Sequence, residues 1–149
     1  MTVGRKFIQL ILFAICLSYF VFNKAAAQQK QPDNTRFQDS LVHKLVYIYA
    51  EQLPEPKGGM TTLFKQVTKK LKFPAGDADY AGRVIVAFVI EPDGKIDGER
   101  VIRDPSGNQQ IFSKQIFQII KTIKWRPARR NGKAVPFLYT LPISIDITE

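Results

Sequence analysis

The chain has little of the chemistry that catalytic and metal sites require. Its 149 residues include a single cysteine, Cys16, and a single histidine, His43. One cysteine cannot form a disulfide within the chain, and His43 stands outside any cluster of metal ligands. Asp97 and Glu99 are close enough to project together, but no further group completes an acid–base site. We therefore expect a protein that is not an enzyme and that needs neither a metal nor a cofactor.

Long apolar runs are also scarce. The one extended run, Phe7–Phe22, is shorter than the ~20 residues that a helix needs to span a bilayer. Basic residues precede it and small residues follow it, which is the pattern of a secretory signal peptide cleaved after Ala27. The sequence thus predicts that residues 1–27 are a signal peptide and that the protein is exported. A short retained membrane anchor, with the rest of the chain on the outer side of that membrane, is the alternative.

Acidic residues are fewer than basic ones, and the formal net charge is +9. Lys and Arg are spread along the whole chain without interleaved aromatic residues that could stack on bases, so we expect no nucleic-acid partner. The densest basic patch consists of Arg126, Arg129, Arg130 and Lys133. Two interpretations of this patch remain, a solvated basic face or a weak contact with anionic components of the cell envelope.

Composition divides the rest of the chain into a linker and a domain. Residues 28–44 are polar, with almost nothing to bury, and are predicted to be a linker. Residues 45–149 are rich in β-branched and aromatic residues and are predicted to fold as one domain. Its first element is predicted to be a short strand at Leu45–Leu53, which ends at Pro54.

Gly82–Arg103 is the most strongly patterned stretch and predicts a β-hairpin. Apolar residues occupy both faces of its first half, which indicates a central strand. Its middle, Glu91–Lys95, contains a Pro-Asp-Gly turn in which Gly94 can take a positive φ. The alternation of apolar and polar residues changes phase near Asp97–Gly98, which predicts a β-bulge.

Two amphipathic helices flank the hairpin in sequence. The first is predicted to be capped by Thr61 and to end at Phe73, before Pro74. Ser106 and Gln109 have the spacing of a capping box for the second. The apolar positions are Met60, Leu63, Phe64, Val67 and Leu71 in the first helix and Phe112, Ile116, Ile119, Ile120 and Ile123 in the second.

The last strand is predicted to be an edge strand. From Val135 to Ile147 every odd position is apolar, as expected for a strand with one buried face. Pro136 and Pro142 remove backbone donors from the same side, which an interior strand would not tolerate. That side is then available to an added peptide strand, unless the prolines only protect it against aggregation. The candidate partner-binding residues are Pro136, Leu138, Tyr139, Thr140, Pro142, Ser144 and Asp146.

A series of short landmarks runs through the predicted domain. They are Gly58-Gly59, Lys72-Phe73-Pro74-Ala75, Ala81-Gly82-Arg83-Val84, Pro92-Asp93-Gly94-Lys95-Ile96, Trp125-Arg126-Pro127-Ala128, Asn131-Gly132-Lys133 and Tyr139-x-Leu141-Pro142-Ile143. Each is common alone, whereas their order and spacing together are specific. From about Glu51 to Ile147 the chain resembles the C-terminal domain of the TonB family, in its Bacteroidetes form.

The resemblance implies an α+β fold, in which a small antiparallel sheet is packed on one side by two helices. The sheet would contain the central hairpin and the C-terminal edge strand. The implied function is a non-enzymatic periplasmic module of energy-dependent transport across the Gram-negative outer membrane. The implied partner is a short receptor segment, the TonB box, of a TonB-dependent outer-membrane receptor, or a segment of another envelope protein, bound by strand addition (β-augmentation). An exposed edge also permits a homodimer.

The chain differs from energy-transducing relatives at its N-terminal end. Those relatives have a membrane helix with Ser and His facing a proton-driven motor of the inner membrane, followed by a long proline-rich spacer. Here the apolar run contains no histidine, and the predicted linker is short. The alternative function is therefore a secreted envelope adaptor or assembly protein that uses the same domain without energy transduction.

Overall fold

A computed structural model of the protein describes residues 34–74 and 80–145. These residues belong to the compact unit Asn34–Glu149. The predicted signal peptide, the first part of the predicted linker and Asp146 lie outside the described residues. None of the helices within the two described ranges has the length and apolar character that a membrane span needs.

The described residues adopt an α+β fold in which two helices accompany a five-stranded sheet. The elements are β1 (Arg36–Asp39), β2 (Lys44–Tyr47), β3 (Glu55–Pro56), α1 (Gly59–Lys70), β4 (Gly82–Ile90), β5 (Ile96–Arg103), α2 (Ile111–Lys121), β6 (Trp125–Arg126), β7 (Ala128–Arg130), β8 (Lys133–Val135) and β9 (Phe137–Ile145). The strand order of the main sheet is β1-β2-β9-β4-β5, and β3 with β6 and β7 with β8 form two short pairs. The predicted fold class is confirmed, but the sheet is mixed rather than antiparallel because β2 runs parallel to β9.

β4 and β5 form the predicted hairpin, and β4 is central because β9 pairs with its other side. Both faces of β4 are apolar and largely covered. The buried residues are Val84, Val86, Phe88 and Ile90 on one face and Ala87 and Val89 on the other. Gly94 has a φ of 82° in the turn and lies against the Trp125 carbonyl, so a side chain at this position would collide with it.

The predicted bulge is present in β5. Ala87 pairs with Arg100 and Val89 with Asp97, so β5 has one more residue than β4 between these pairs. Gly98, within the bulge, has a φ of 57°. A second register shift lies nearer the end of β5, where the sequence pattern gives no sign of it. β5 is therefore an irregular strand.

α1 begins earlier than predicted. Its N-cap is Gly58, with a φ of 90° and no side-chain cap, and the helix starts at Gly59. Thr61 lies inside the helix, so the predicted cap is wrong. The left-handed glycine turns the chain into the helix, which leaves no extended residue at Thr61 to act as a cap. The predicted inner face is formed by Leu63 and Val67, which are buried.

α1 also ends earlier than the predicted Phe73. Its last residue is Lys70, and the Leu71 that follows is extended. The Gln115 side chain accepts a hydrogen bond from the Lys72 amide (2.8 Å) and donates one to the Lys72 carbonyl (2.9 Å). This pair of hydrogen bonds holds Lys72 outside the helix, so α1 ends before it reaches Pro74.

α2 carries the buried stripe that was predicted, but not the predicted capping box. A short 3-10 turn separates Ser106 from the helix, so Ser106 and Gln109 do not cap each other. Instead, the Ser106 hydroxyl accepts a hydrogen bond from the Ile111 amide (2.8 Å). Asp104 accepts another from the Ser113 amide (2.7 Å). All five residues of the predicted stripe are buried, but only Phe112, Ile116, Ile119 and Ile120 lie in α2, whereas Ile123 follows the end of the helix.

The structure differs from the predicted linker over residues 34–44. β1 pairs antiparallel with β2, and the two form a hairpin. The Asp39 carboxylate lies 2.8 Å from Arg100 of β5, and Lys44 lies 2.8 Å from Glu91 in the β4–β5 turn. These two ion pairs attach the hairpin to the sheet, which a polar composition does not reveal.

The strand predicted at Leu45–Leu53 is shorter than expected. β2 ends at Tyr47, and beyond it only an isolated bridge joins Gln52 to Arg129. The two residues exchange backbone hydrogen bonds of 3.2 and 2.9 Å. The chain after Tyr47 therefore turns away from the main sheet to follow β7.

Candidate partner-binding edge

β9 presents one side to β4 along its whole length. The two strands pair antiparallel over Phe137–Ile145. The predicted strand therefore forms, but it starts later than expected because Val135 belongs to β8 and Pro136 separates the two strands. The odd-numbered side chains of β9 are buried or partly buried, as the sequence pattern predicts, and Leu141 is almost completely buried.

Two observations show which backbone groups of β9 point away from β4. Pro142 lies opposite Ile85 and has no N–H, so these two residues cannot exchange backbone hydrogen bonds. The carbonyl of Pro142 therefore points away from β4. The Pro136 carbonyl accepts a hydrogen bond from the Tyr47 amide (2.9 Å) on the other side. Because this orientation alternates along a strand, the even-numbered residues direct their backbone groups outward. They are Leu138, Thr140, Pro142 and Ser144.

β9 is not the outermost strand, so the prediction of an edge strand is wrong for its first residues. β2 pairs with it at one position, Tyr47 with Phe137. In such a parallel bridge the Tyr47 carbonyl faces the Leu138 amide, while the Tyr47 amide bonds to Pro136. The sequence could not indicate this contact because a short strand carries no signal for which strand it joins.

The following residues, Thr140–Ser144, have an outer side that pairs with no described strand. We refer to this segment as the open edge. Its even-numbered side chains are exposed, whereas the odd-numbered ones are buried. The outward donors are the amides of Thr140 and Ser144, and Pro142 supplies a carbonyl but no donor.

Tyr139 does not contribute its side chain to the open edge. Its ring lies beside Phe88 and Trp125, with centroid distances of 5.8 and 5.6 Å. Its hydroxyl is 3.6 Å from the Met60 sulfur of α1. Burial raises the pKa of the Tyr139 hydroxyl. This side chain therefore anchors β9 to the start of α1.

The structure separates the predicted partner-binding residues into groups. Pro136 and Leu138 lie where β2 covers β9, whereas Thr140, Pro142 and Ser144 form the outward part of the open edge. Tyr139 faces the core, and Asp146 lies outside the described residues.

The two terminal strands of the main sheet are less suited to strand addition. β5 has two register shifts and carries charged residues, among them Asp97 and Arg103. Bulges and charges are devices that protect a sheet edge. β1 has only four residues. The open edge of β9 is regular by comparison.

The predicted basic patch of Arg126, Arg129, Arg130 and Lys133 is not one free surface. Arg126 forms an ion pair with Glu55. Arg130 contacts Thr35, and its guanidinium carbon lies 5.3 Å from the centroid of the Tyr47 ring. Arg129 and Lys133 are exposed on the β7–β8 hairpin.

The residues considered for metal binding or catalysis are separated. Within the described ranges, no three His, Cys, Asp or Glu side chains come together as metal ligands. Asp97 accepts a hydrogen bond from the Gly98 amide (2.7 Å), whereas Glu99 lies 2.5 Å from Lys121 of α2. The two carboxylates therefore have different partners. His43 is exposed.

A comparison with protein families agrees with the landmarks in the sequence. Residues 73–146 match the sequence family of the Gram-negative bacterial TonB protein C-terminal domain. The chain is also similar to the solution NMR structure of the Pseudomonas aeruginosa TonB C-terminal domain, with 24% identity and a TM-score of 0.37. The aligned residues cover 53% of this chain and 82% of that chain. A comparison with curated proteins gave no match. Residues 73–146 therefore belong to the TonB C-terminal domain family.

Proposed function

We propose that this domain is a periplasmic binding module of TonB-type transport. It binds a peptide segment, the TonB box, of an outer-membrane receptor by strand addition to the open edge of β9. The matched family supports the transport context, because its C-terminal domain is an interaction domain and not a catalytic one.

The observation that carries this proposal is that the outer side of Thr140–Ser144 pairs with no strand among the described residues. An added strand gains affinity from main-chain hydrogen bonds, and this segment offers two amides and several carbonyls. β4 pairs with the other side over all nine residues of β9 and holds the open edge in a fixed extended conformation. A preorganised edge loses little entropy on binding.

The position of β2 limits the peptide at one end. Tyr47 already occupies the outer side of β9 beside Phe137. A bound peptide would take the strand position next to β9 that β2 occupies at Phe137, and it would pair with β9 only beyond Leu138. Because Pro142 has no N–H, one carbonyl of the bound peptide would find no donor on β9 and would face solvent.

The test is to remove the outward amide of Thr140. Thr140→Pro deletes this donor and places a ring where the peptide would lie, while the bonds from β9 to β4 remain. We expect affinity for a TonB-box peptide to fall at least about tenfold, the value of one lost hydrogen bond plus a clash. Isothermal titration calorimetry measures the change.

Thr140→Val is the matched control because it keeps the amide and nearly the same shape. We expect its affinity to stay within about twofold of the wild type, since the backbone donor is unchanged. Thermal unfolding checks that both variants are folded. If the folded Thr140→Pro variant bound the peptide as the wild type does, strand addition at this edge would be wrong.

A further inference from the structure

We propose that Arg83 of β4 selects an acidic residue in the peptide bound at the open edge. The two side chains meet across Ser144 of β9, on the face of the main sheet that points away from the helices. We refer to this face as the back face. The inference rests on the proposed strand addition and adds a determinant of specificity to it.

The back face contains the odd-numbered residues of β4 and the even-numbered residues of β9. The even-numbered residues of β4, from Val84 to Ile90, lie in the core with the helices. Side chains alternate between the two faces of a strand, so Arg83 and Ile85 point to the other face. Arg83 pairs with Ser144 and Ile85 pairs with Pro142, and residues directly opposite each other share a face. Arg83 and Ser144 are therefore neighbours on the back face.

The β1–β2 hairpin covers only one end of the back face. At that end Val89 of β4 is buried. A Cβ added to Gly98 would lie 2.6 Å from Cγ1 of Val42 in the hairpin and 3.5 Å from Cγ2 of Val89. At the other end, Arg83 and Ser144 are both exposed. The part of the back face beside the open edge is therefore accessible to a bound peptide.

Arg83 is two strand positions away from the bound peptide. Neighbouring strands are ~4.8 Å apart, so the backbones of β4 and the peptide would be about 10 Å apart, with β9 between them. Extended arginine and glutamate side chains together span this distance, and the small side chain of Ser144 leaves the path open. The peptide residue paired beside Ser144 points to the same face as Ser144. A carboxylate at this peptide position can therefore reach the Arg83 guanidinium.

Arg83 has no acidic partner among the described residues. No ion pair in the described ranges joins its guanidinium to a carboxylate. Asp104, which follows β5, already accepts hydrogen bonds from Ser106 and from the Ser113 amide of α2. A carboxylate of the peptide would supply the ion-pair partner that Arg83 lacks there.

A second arginine adds to the positive charge of this part of the back face. Arg103 of β5 pairs with Ile85 and is exposed. Because Arg83 lies two residues from Ile85 on the same face, the two arginines are diagonal neighbours. Like charges at such a separation repel each other, and a nearby anion relieves the repulsion. This surface therefore favours a carboxylate over an ammonium group.

The experiment uses the full-length chain and two synthetic peptides with blocked ends. Both have the sequence Ser-X-Val-Thr-Val-X-Ser, in which X is glutamate in one peptide and lysine in the other. When the valines face the helices, both X residues face the back, and one of them lies at the Ser144 end whichever way the peptide runs. We expect the wild type to prefer the glutamate peptide by roughly fivefold in calorimetric titrations, as exposed ion pairs allow.

Reversing the charge of residue 83 should reverse the preference. In Arg83→Glu, the lysine peptide should bind better than the glutamate peptide. Lys114→Glu, at an exposed lysine of α2, changes the net charge equally and should keep the wild-type preference. Ser144→Leu keeps every charge and the backbone amide but fills the path to Arg83, so the preference should fall below about twofold. Thermal unfolding checks that each variant is folded.

The outcomes separate this inference from the proposed function. If both peptides bind and Thr140→Pro abolishes that binding, but Arg83→Glu keeps the wild-type preference, the inference is wrong while strand addition stands. The inference is also wrong if Lys114→Glu changes the preference as much as Arg83→Glu does, because net charge is then responsible. A preference that Ser144→Leu leaves unchanged would show that Arg83 does not act across Ser144. If neither peptide binds the wild type, both proposals fail.

Discussion

The Asp39 carboxylate and the Arg100 guanidinium lie 2.8 Å apart, measured from Oδ2 to Nη1. The Asp39 side chain is completely buried, whereas Arg100 remains 26% exposed. The two charged groups form an ion pair. The other oxygen, Oδ1, accepts hydrogen bonds from the amides of Leu41 and Val42 (2.9 and 3.3 Å). Asp39 thereby joins the tip of the β1–β2 hairpin to β5.

We expect Asp39→Asn to lower the free energy of unfolding by about 2–3 kcal/mol, because the variant leaves Arg100 without its charged partner. Urea unfolding measures this loss. Asp93→Asn is the matched control, since the ion pair of Asp93 with Lys95 is exposed and should change stability little. Equal losses in the two variants would show that the buried pair does not hold the hairpin.

The same carboxylate predicts how stability depends on pH. The bond with Arg100 lowers the pKa of Asp39, and the amides of Leu41 and Val42 add to this against the opposing effect of burial. The folded protein therefore binds this proton less readily than the unfolded chain, and the stabilisation is present above the unfolded pKa of ~3.9. It is lost as the pH falls through the lower folded pKa.

Unfolding at several pH values tests that sign. The difference in free energy of unfolding between the wild type and Asp39→Asn should be large near neutral pH and shrink below about pH 4. A difference that stays constant down to acid pH would contradict the lowered pKa.

The hairpin turn provides a prediction about packing. Gly94→Ala should lower the free energy of unfolding by about 2–3 kcal/mol, because the residue has positive φ and its added methyl group would meet the Trp125 carbonyl. Gly107→Ala is the control, since it also has positive φ but meets no atom within 4 Å. Its cost should be about 1 kcal/mol, the backbone strain alone. If the two substitutions lowered the free energy of unfolding equally, the clash with the Trp125 carbonyl would not contribute to the loss at Gly94.

The elements that the sequence predicts well are those with a local repeating pattern. The stripe of α2 and the two apolar faces of β4 follow from residue spacing alone, and their burial in the core agrees. The bulge near Gly98 also left a local trace, because one extra residue changes the alternation. Helix caps were predicted less well, since the left-handed residues Gly58 and Gln110 stand at the two N-cap positions.

The elements that the sequence misses depend on partners far along the chain. β1 is short and polar, and it forms because it pairs with β2 and because Arg100 compensates the buried charge of Asp39. At the site, Pro136 and Pro142 indicate which side of β9 faces outward. They do not indicate that Tyr47 covers the first part of that side.

Amide hydrogen exchange along β9 tests the central claim most directly. In the free protein, the amides of Leu141 and Ile143, which face β4, should exchange slowly, and the amide of Thr140 should exchange fast. Saturation with a TonB-box peptide should slow the Thr140 amide because the added strand accepts its hydrogen bond. A Thr140 amide that is already slow in the free protein, or that the bound peptide leaves unchanged, would contradict strand addition at the open edge.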